Sequence, residues 1–171
     1  MSTALRTPSR LLAVAVLSLA FAGTGITSAG AQTDGSGAKG AAPEATREIL
    51  VQTAPPAAPG YDLYLMRVTV PPGAELAPHT HPGTQGARIE RGVLTYTLIS
   101  GSATVIRAAT RGADATTETV SAPKTVELRR ADVVIENPAL VHEAANRGAR
   151  PVVILLTALF PQGAPLSTPA G

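Results

Sequence analysis

The chain has 171 residues, with 14 Lys and Arg against 12 Asp and Glu, and it contains neither cysteine nor tryptophan. One domain accounts for this length, and the missing cysteines exclude disulfide bonds, thiolate metal sites and a cysteine nucleophile. With a net charge of +2 and only three tyrosines and two phenylalanines, nothing indicates a nucleic-acid partner. Any metal ion must bind through histidine, carboxylate or amide groups.

Residues 1–31 have the organisation of a secretory signal peptide. Two arginines precede an apolar run from Leu11 to Ala22, and small residues ending at Ala31 follow it. The run covers about 12 residues, whereas a membrane-spanning helix needs roughly 20, so a retained membrane anchor is the weaker interpretation. We predict cleavage before Gln32 and export to the periplasm or the extracellular space, with no stable membrane anchor after cleavage.

The two ends of the mature chain are predicted to be loosely structured. Residues 32–45 are rich in Gly, Ala, Ser and Thr, which is typical of a flexible linker. Residues 161–171 are rich in Pro, Gly, Ser and Thr, and we expect them to form a loosely held tail. Residues 46–160 between them constitute the predicted domain.

Short apolar segments separated by Gly and Pro follow one another through residues 46–160. None has the 3.6-residue period of an amphipathic helix, so β-strands are predicted. The predicted strands cover residues 48–53, 61–70, 87–91, 93–99, 103–108, 116–120, 126–128, 133–136 and 151–160. The predicted fold is therefore all-β, an antiparallel sandwich or barrel of the jelly-roll type.

The three histidines of the chain carry the clearest chemical signal. His79 and His81 form a His-x-His pair, and His142 follows the sequence Asn137-Pro138. In a β-strand, residues i and i+2 project from the same face, so His79 and His81 can bind one ion together. A strand that contains His142 can complete this site. The alternative is that they are three unrelated polar residues.

The spacing around the histidine pair resembles the first motif of the cupin family. That motif is matched, position by position, by Gly73, His79, His81, Gln85 and Gly92. Glutamate is the usual residue at the fourth of these positions, where this chain has Gln85.

The second cupin motif is matched more loosely. Asp132, His142 and Asn146 stand at their expected positions, while Ala131 and Ala139 stand where the family has glycine. The resemblance implies a cupin jelly-roll barrel of short antiparallel strands over residues 46–160, similar to the quercetin-dioxygenase-like group.

The resemblance also implies a divalent transition metal, which in this family is Fe, Mn, Ni, Cu or Zn. It assigns His79, His81, Gln85 and His142 as the metal ligands. The amide oxygen of Gln85 can ligate but carries no charge, and the alternative is that Gln85 only forms a hydrogen bond in the pocket. Without the carboxylate, the ligand set is similar to the three-histidine sites of some thiol and diketone dioxygenases.

No other carboxylate is expected to replace the missing one. Glu90 and Glu143 have the opposite strand parity to Gln85 and His142 respectively, so they should face outward. Glu75 shares the parity of His79, but Pro78 interrupts that strand and leaves Glu75 a weak candidate.

The strand parity of the ligands also predicts the walls of the pocket. Ala87, Ile89, Tyr96 and Leu98 are the candidate lining residues, and they are mostly small and apolar. Such a pocket favours a small apolar or carbonyl-bearing substrate over a sugar, and plain core packing is the alternative role for each residue.

The leading hypothesis is an exported metal-binding cupin that uses its ion to activate dioxygen or a carbonyl substrate, as a metal-dependent dioxygenase would. One alternative is a module that binds a small ligand without turnover, and another is a metal-dependent isomerase or lyase. A homodimer is a further expectation, because the short strand around residues 49–51 can pair with a second subunit.

Overall fold

The computed structural model describes residues 43–170, which form twelve β-strands and no helix. The predicted signal peptide and residues 32–42 of the predicted linker lie outside this range, and within it no helix could cross a membrane. The strands are β1 (Thr46–Thr53), β2 (Tyr61–Val70), β3 (Glu75–Thr80), β4 (Thr84–Arg91), β5 (Val93–Ser100), β6 (Ser102–Arg107), β7 (Thr116–Ser121), β8 (Lys124–Arg129), β9 (Val133–Glu136), β10 (Val141–Ala145), β11 (Val152–Pro161) and β12 (Thr168–Pro169).

The strands form two sheets, and every pairing between neighbouring strands is antiparallel. The larger sheet has seven strands in the order β1-β2-β11-β4-β9-β6-β7, and the smaller has five in the order β12-β3-β10-β5-β8. Strands that are distant in the sequence are therefore neighbours in space, as in β3 with β10 and β4 with β9. The all-β prediction is confirmed.

The core lies between the inner faces of the two sheets and follows from the alternation of apolar residues along the strands. In β2, Tyr64, Met66, Val68 and Val70 are buried, while the residues between them are more exposed. Strand β11 pairs with β2 and also buries every second residue, from Val152 to Phe160, and both of these end residues are fully buried. Full burial of one such side chain contributes about 1.5 to 3 kcal/mol of hydrophobic stabilisation.

Strand β3 runs through Pro78, where the sequence pattern alone suggested an interruption. In the pairing of β3 with β10, Leu76 lies opposite Ala144 and His79 lies opposite His142, so β3 has one extra residue between these two pairs. Pro78 lies in this bulge, where a proline is tolerated because the regular ladder of hydrogen bonds is already broken. The bulge lets the strand continue to His79.

The C-terminal segment, which was predicted to be loosely held, pairs with the edge of the smaller sheet. Thr168 lies opposite Thr80, and Pro169 lies opposite His79, in the short strand β12. Leu166 packs against the core just before this strand. The packing of Leu166 and the free edge of β3 therefore hold this segment in place, although its composition is typical of a loop.

Candidate metal centre

Two neighbouring strands of the smaller sheet bring the three histidines together. His79 on β3 and His142 on β10 are directly opposite each other in the smaller sheet, and His81 follows the end of β3. One ligand atom from each ring lies within 4.8 Å of the other two. The structure therefore unites the three histidines that the sequence singled out.

Two of the imidazole rings are held by backbone carbonyls. Nδ1 of His79 is 2.7 Å from the carbonyl oxygen of Ala77, and Nδ1 of His81 is 2.7 Å from that of Leu166. A carbonyl oxygen only accepts, so each Nδ1 must be the protonated donor and the neutral ring carries its lone pair on Nε2. This tautomer is the one that can bind a metal ion through Nε2.

The third ring, His142, has a buried polar atom without a partner. Its Nδ1 makes no hydrogen bond with any atom of residues 43–170. The ring is enclosed by its neighbours, with its centroid 4.3 Å from that of His79 and 5.0 Å from that of Tyr96. Unsatisfied buried nitrogens are uncommon, and they are typical of sites that hold an ion or an ordered water.

Burial keeps the cluster uncharged at neutral pH. It lowers the pKa of His81 to about 4 and that of His142 to about 3, and it also lowers the pKa of His79. Mutual repulsion among the rings lowers the pKa values of His81 and His142 further. Neutral imidazoles offer lone pairs to a cation, so the donor set fits a divalent metal.

A buried glutamate that the sequence analysis did not identify lies beside the three histidines. Oε2 of Glu136, at the end of β9, is 3.6 Å from Nε2 of His142 and 3.7 Å from Nε2 of His81. Burial raises the pKa of Glu136 to about 7, against the opposing effect of hydrogen bonds from Gln85 and Tyr96. A carboxylate that the strand-parity argument did not consider therefore lies next to the three histidines.

The strand pairing explains why Glu136 was missed. It lies opposite Gln85 in the β4–β9 register, although 51 residues separate the two in sequence. The sequence did contain one indication. Glu136 has the same strand parity as Val134, and a glutamate on the buried face of a strand needs a polar partner or a functional role. The parity argument did hold for Glu90, which pairs with Arg88. Glu75 shares the parity of His79 but is exposed and forms an ion pair with Arg147, because the bulge between Leu76 and His79 breaks the alternation of β3.

Gln85 points into the same cavity, and its amide is already engaged. Its Nε2 donates a hydrogen bond of 2.6 Å to Oε2 of Glu136, and the side chain is buried. In the structure Gln85 therefore acts as a hydrogen-bond donor in the pocket, which is the alternative role that the sequence left open. Ligation of a metal ion by its amide oxygen stays a prediction.

The cavity above the cluster has a volume of about 60 Å³. Ala87, Ile89 and Tyr96 line it as predicted, whereas Leu98 is fully buried in the core and does not. The sequence analysis missed Arg47 on β1, which is the one Arg or Lys among the described residues that line the cavity. Arg47 lies opposite Val68, another lining residue, in the β1–β2 pairing.

No protein-family model and no curated protein matches this sequence. Solved structures do match. An L-ribose isomerase from Cellulomonas parahominis, solved with L-psicose, is 15% identical over 72% of this chain and 68% of that chain, with a TM-score of 0.51. The chain has the cupin fold. A cupin 2 domain-containing protein from Halorhodospira halophila is 18% identical over 75% of this chain and 71% of its own, with a TM-score of 0.48.

A third similar structure is a cupin superfamily protein from Desulfitobacterium hafniense, 13% identical over 68% of this chain and 77% of that chain, with a TM-score of 0.46. Identities this low describe a shared fold and not a shared substrate. Within that fold, His79, His81 and His142 form a three-histidine cluster that fits a divalent metal ion.

Proposed function

We propose that this cupin is an exported metal-dependent enzyme, a dioxygenase that acts on a small apolar or carbonyl-bearing substrate. The observation that supports it best is the set of three neutral imidazoles within 4.8 Å of one another at an apolar cavity. Such a ligand set suits Fe, Ni, Cu or Zn, and an added oxygen ligand extends it to Mn. A bound ion would supply Lewis-acid chemistry or dioxygen activation.

The chain's own residues set the environment in which that chemistry takes place. Ile89, Val134 and Leu156 contribute apolar walls that keep bulk water away from the cluster. The volume of about 60 Å³ has room for only a few water-sized groups, so a small molecule or the end of a longer one is accommodated.

Arg47 supports a substrate that bears a carbonyl or carboxylate oxygen. Arg47 lines the cavity, and its guanidinium can donate hydrogen bonds to such an oxygen. Because Arg47 and the three histidines line the same cavity, an oxygen-bearing substrate could contact both.

Oxygen consumption tests this function. The mature protein, purified without a histidine tag, is analysed for metal content, loaded with each candidate metal and then screened in an oxygen electrode against small ketones, diketones and keto acids. Metal-dependent oxygen uptake with a product heavier by two oxygen atoms supports a dioxygenase. A product of unchanged mass without oxygen uptake would identify an isomerase, binding without turnover would identify a ligand-binding module, and absence of bound metal would overturn the proposal.

A further inference from the structure

We propose that Glu136, at the end of β9, supplies an anionic ligand to the metal centre, so that the site has three histidines and one carboxylate. The inference rests on the proposed metal-binding function. It assigns to Gln85 and Tyr96 the role of positioning residues that hold this carboxylate toward the three rings.

The charge around Glu136 is the first argument. The side chain is 3% exposed, and its polar neighbours among residues 43–170 are an amide, a phenol and two imidazoles. Within residues 43–170 the ion-pair contacts of this carboxylate are with the two imidazoles, and none is with Arg or Lys. A buried carboxylate without a cation is unfavourable, and a divalent ion held by the histidines supplies the counter-charge.

The second argument is the position of the carboxylate oxygen. Oε2 lies at almost the same distance from Nε2 of His142 and from Nε2 of His81, 3.6 and 3.7 Å. Both distances are too long for a hydrogen bond. Two atoms that are each about 2.1 Å from one ion stand about 3.0 to 3.4 Å apart, so the observed spacing is close to that between neighbouring ligands.

The third argument is how the carboxylate is fixed. Nε2 of Gln85 donates to Oε2 at 2.6 Å, and the hydroxyl of Tyr96 donates to Oε1 at 2.9 Å. Both oxygens are thereby oriented, and Oε2 retains a second lone pair that can bind a cation. Ligating carboxylates are commonly held in this manner by outer hydrogen-bond donors.

Together these contacts give the replacement at position 85 a physical reason. Gln85 and Glu136 are paired across β4 and β9, so a glutamate at position 85 would place two carboxylates in contact. Glutamine is the side chain of the same length that can donate to Glu136 instead. Gln85 and Glu136 therefore act together as an amide and an acid, and the acid is supplied by β9 instead of β4.

Affinity for metal alone tests the assignment, without any need for a substrate. Binding of Mn²⁺ is measured by the loss of the free-ion electron paramagnetic resonance signal, and binding of Ni²⁺ by competition with a chelator. Because Mn²⁺ prefers oxygen ligands and Ni²⁺ is well served by imidazole, Glu136→Gln should weaken Mn²⁺ binding by about a hundredfold and Ni²⁺ binding by clearly less. Gln85→Leu should weaken Mn²⁺ binding by about tenfold, as expected for an outer hydrogen-bond donor.

Two further variants make the result decisive. Glu143→Gln removes a carboxylate that lies outside the cavity and should leave both affinities unchanged. The exchange variant Gln85→Glu with Glu136→Gln returns a carboxylate to the β4–β9 pair and should recover most of the Mn²⁺ affinity. If Glu136→Gln does not fold by circular dichroism, Glu136→Asp replaces it, with an expected loss that is again larger for Mn²⁺.

The possible failures are distinguishable. Unchanged Mn²⁺ affinity in a folded Glu136→Gln, together with its loss in His142→Ala, would overturn the assignment of Glu136 and leave the metal site intact. Equal losses for Mn²⁺ and Ni²⁺ would also overturn it, because a structural role alone does not discriminate between the two ions. Failure of the wild type to bind either ion would overturn the proposed function itself.

Discussion

Gln85 and Glu136 face each other across β4 and β9, and the amide Nε2 of Gln85 donates a hydrogen bond of 2.6 Å to Oε2 of Glu136. Both side chains are buried, with 4% and 3% of their surface exposed. The pair links a position that matches the first cupin motif with the residue just before Asn137, which lies in the region that resembles the second. Its chemistry depends on one partner being an acid and the other an amide.

The single substitution Gln85→Glu should destabilise the metal-free protein by about 2 to 4 kcal/mol at neutral pH, because it removes the hydrogen bond and places two buried carboxylates in contact. Urea denaturation monitored by circular dichroism measures the free energy of unfolding. Gln52→Glu is the matched control, since Gln52 also donates to a carboxylate, that of Asp62 at 2.8 Å, but on the surface. An equal effect in both variants would contradict this reasoning.

Substitution of any one of His79, His81 or His142 by alanine should sharply lower the metal content while the fold is retained, because the three imidazoles are not part of the apolar core. Elemental analysis of protein purified without a histidine tag provides the measurement, and circular dichroism provides the test of folding. Thr80→Ala, between two of the ligands, is the control. Full metal content in all three variants would refute the site.

The two alanines that replace motif glycines both adopt a left-handed backbone, with φ of 72° at Ala131 and 73° at Ala139. This conformation disfavours residues with a Cβ atom. Ala131→Gly and Ala139→Gly should therefore each raise the free energy of unfolding, by about 1 kcal/mol. Thermal and urea denaturation would measure it, and Ala57→Gly, at an exposed turn without positive φ, should have no stabilising effect.

Asp132 should make the stability depend on acidic pH. Burial alone would raise its pKa, but hydrogen bonds from the backbone N–H groups of Ala108 and Arg129 and from the guanidinium of Arg107 lower it below the usual 3.8. Because the folded-state pKa is the lower one, the stabilisation is complete well above pH 4 and is lost as the pH falls through the folded-state value.

Asp132→Asn tests this dependence. The variant should be less stable than the wild type by about 2 kcal/mol at pH 7, and the difference should shrink as the pH is lowered below about 4. A series of urea denaturation curves between pH 7 and pH 3 gives both quantities. A difference that is constant over this range would show that the charge of Asp132 makes no contribution.

Export gives a prediction that is independent of the metal centre. The chain expressed with residues 1–31 should be recovered outside the cytoplasm with Gln32 as its first residue, because the apolar run from Leu11 to Ala22 ends in small residues that suit cleavage. Intact-mass spectrometry identifies the new terminus. A membrane-bound chain that retains residues 1–31 would contradict the prediction.

The sequence by itself determined the class of fold and the three histidines. Alternating apolar residues, as in β2 and β11, specify strands with one buried face, and this pattern depends only on near neighbours in the chain. The His-x-His spacing of His79 and His81 is likewise a local property of the chain. His142 was found because few residues of its type exist in the chain and its motif spacing is kept.

Only the tertiary structure decided which acid accompanies these histidines. Strand parity states which way a side chain points, but it does not state which strand lies alongside, and the pairing of β4 with β9 is what brings Glu136 to Gln85. The same holds for β12, whose pairing with β3 brings the carbonyl of Leu166 to Nδ1 of His81. Contacts between residues that are far apart in the chain depend on the packing of the whole barrel. The free energies that select one strand pairing over another are summed over both sheets, so no single segment of the sequence encodes them.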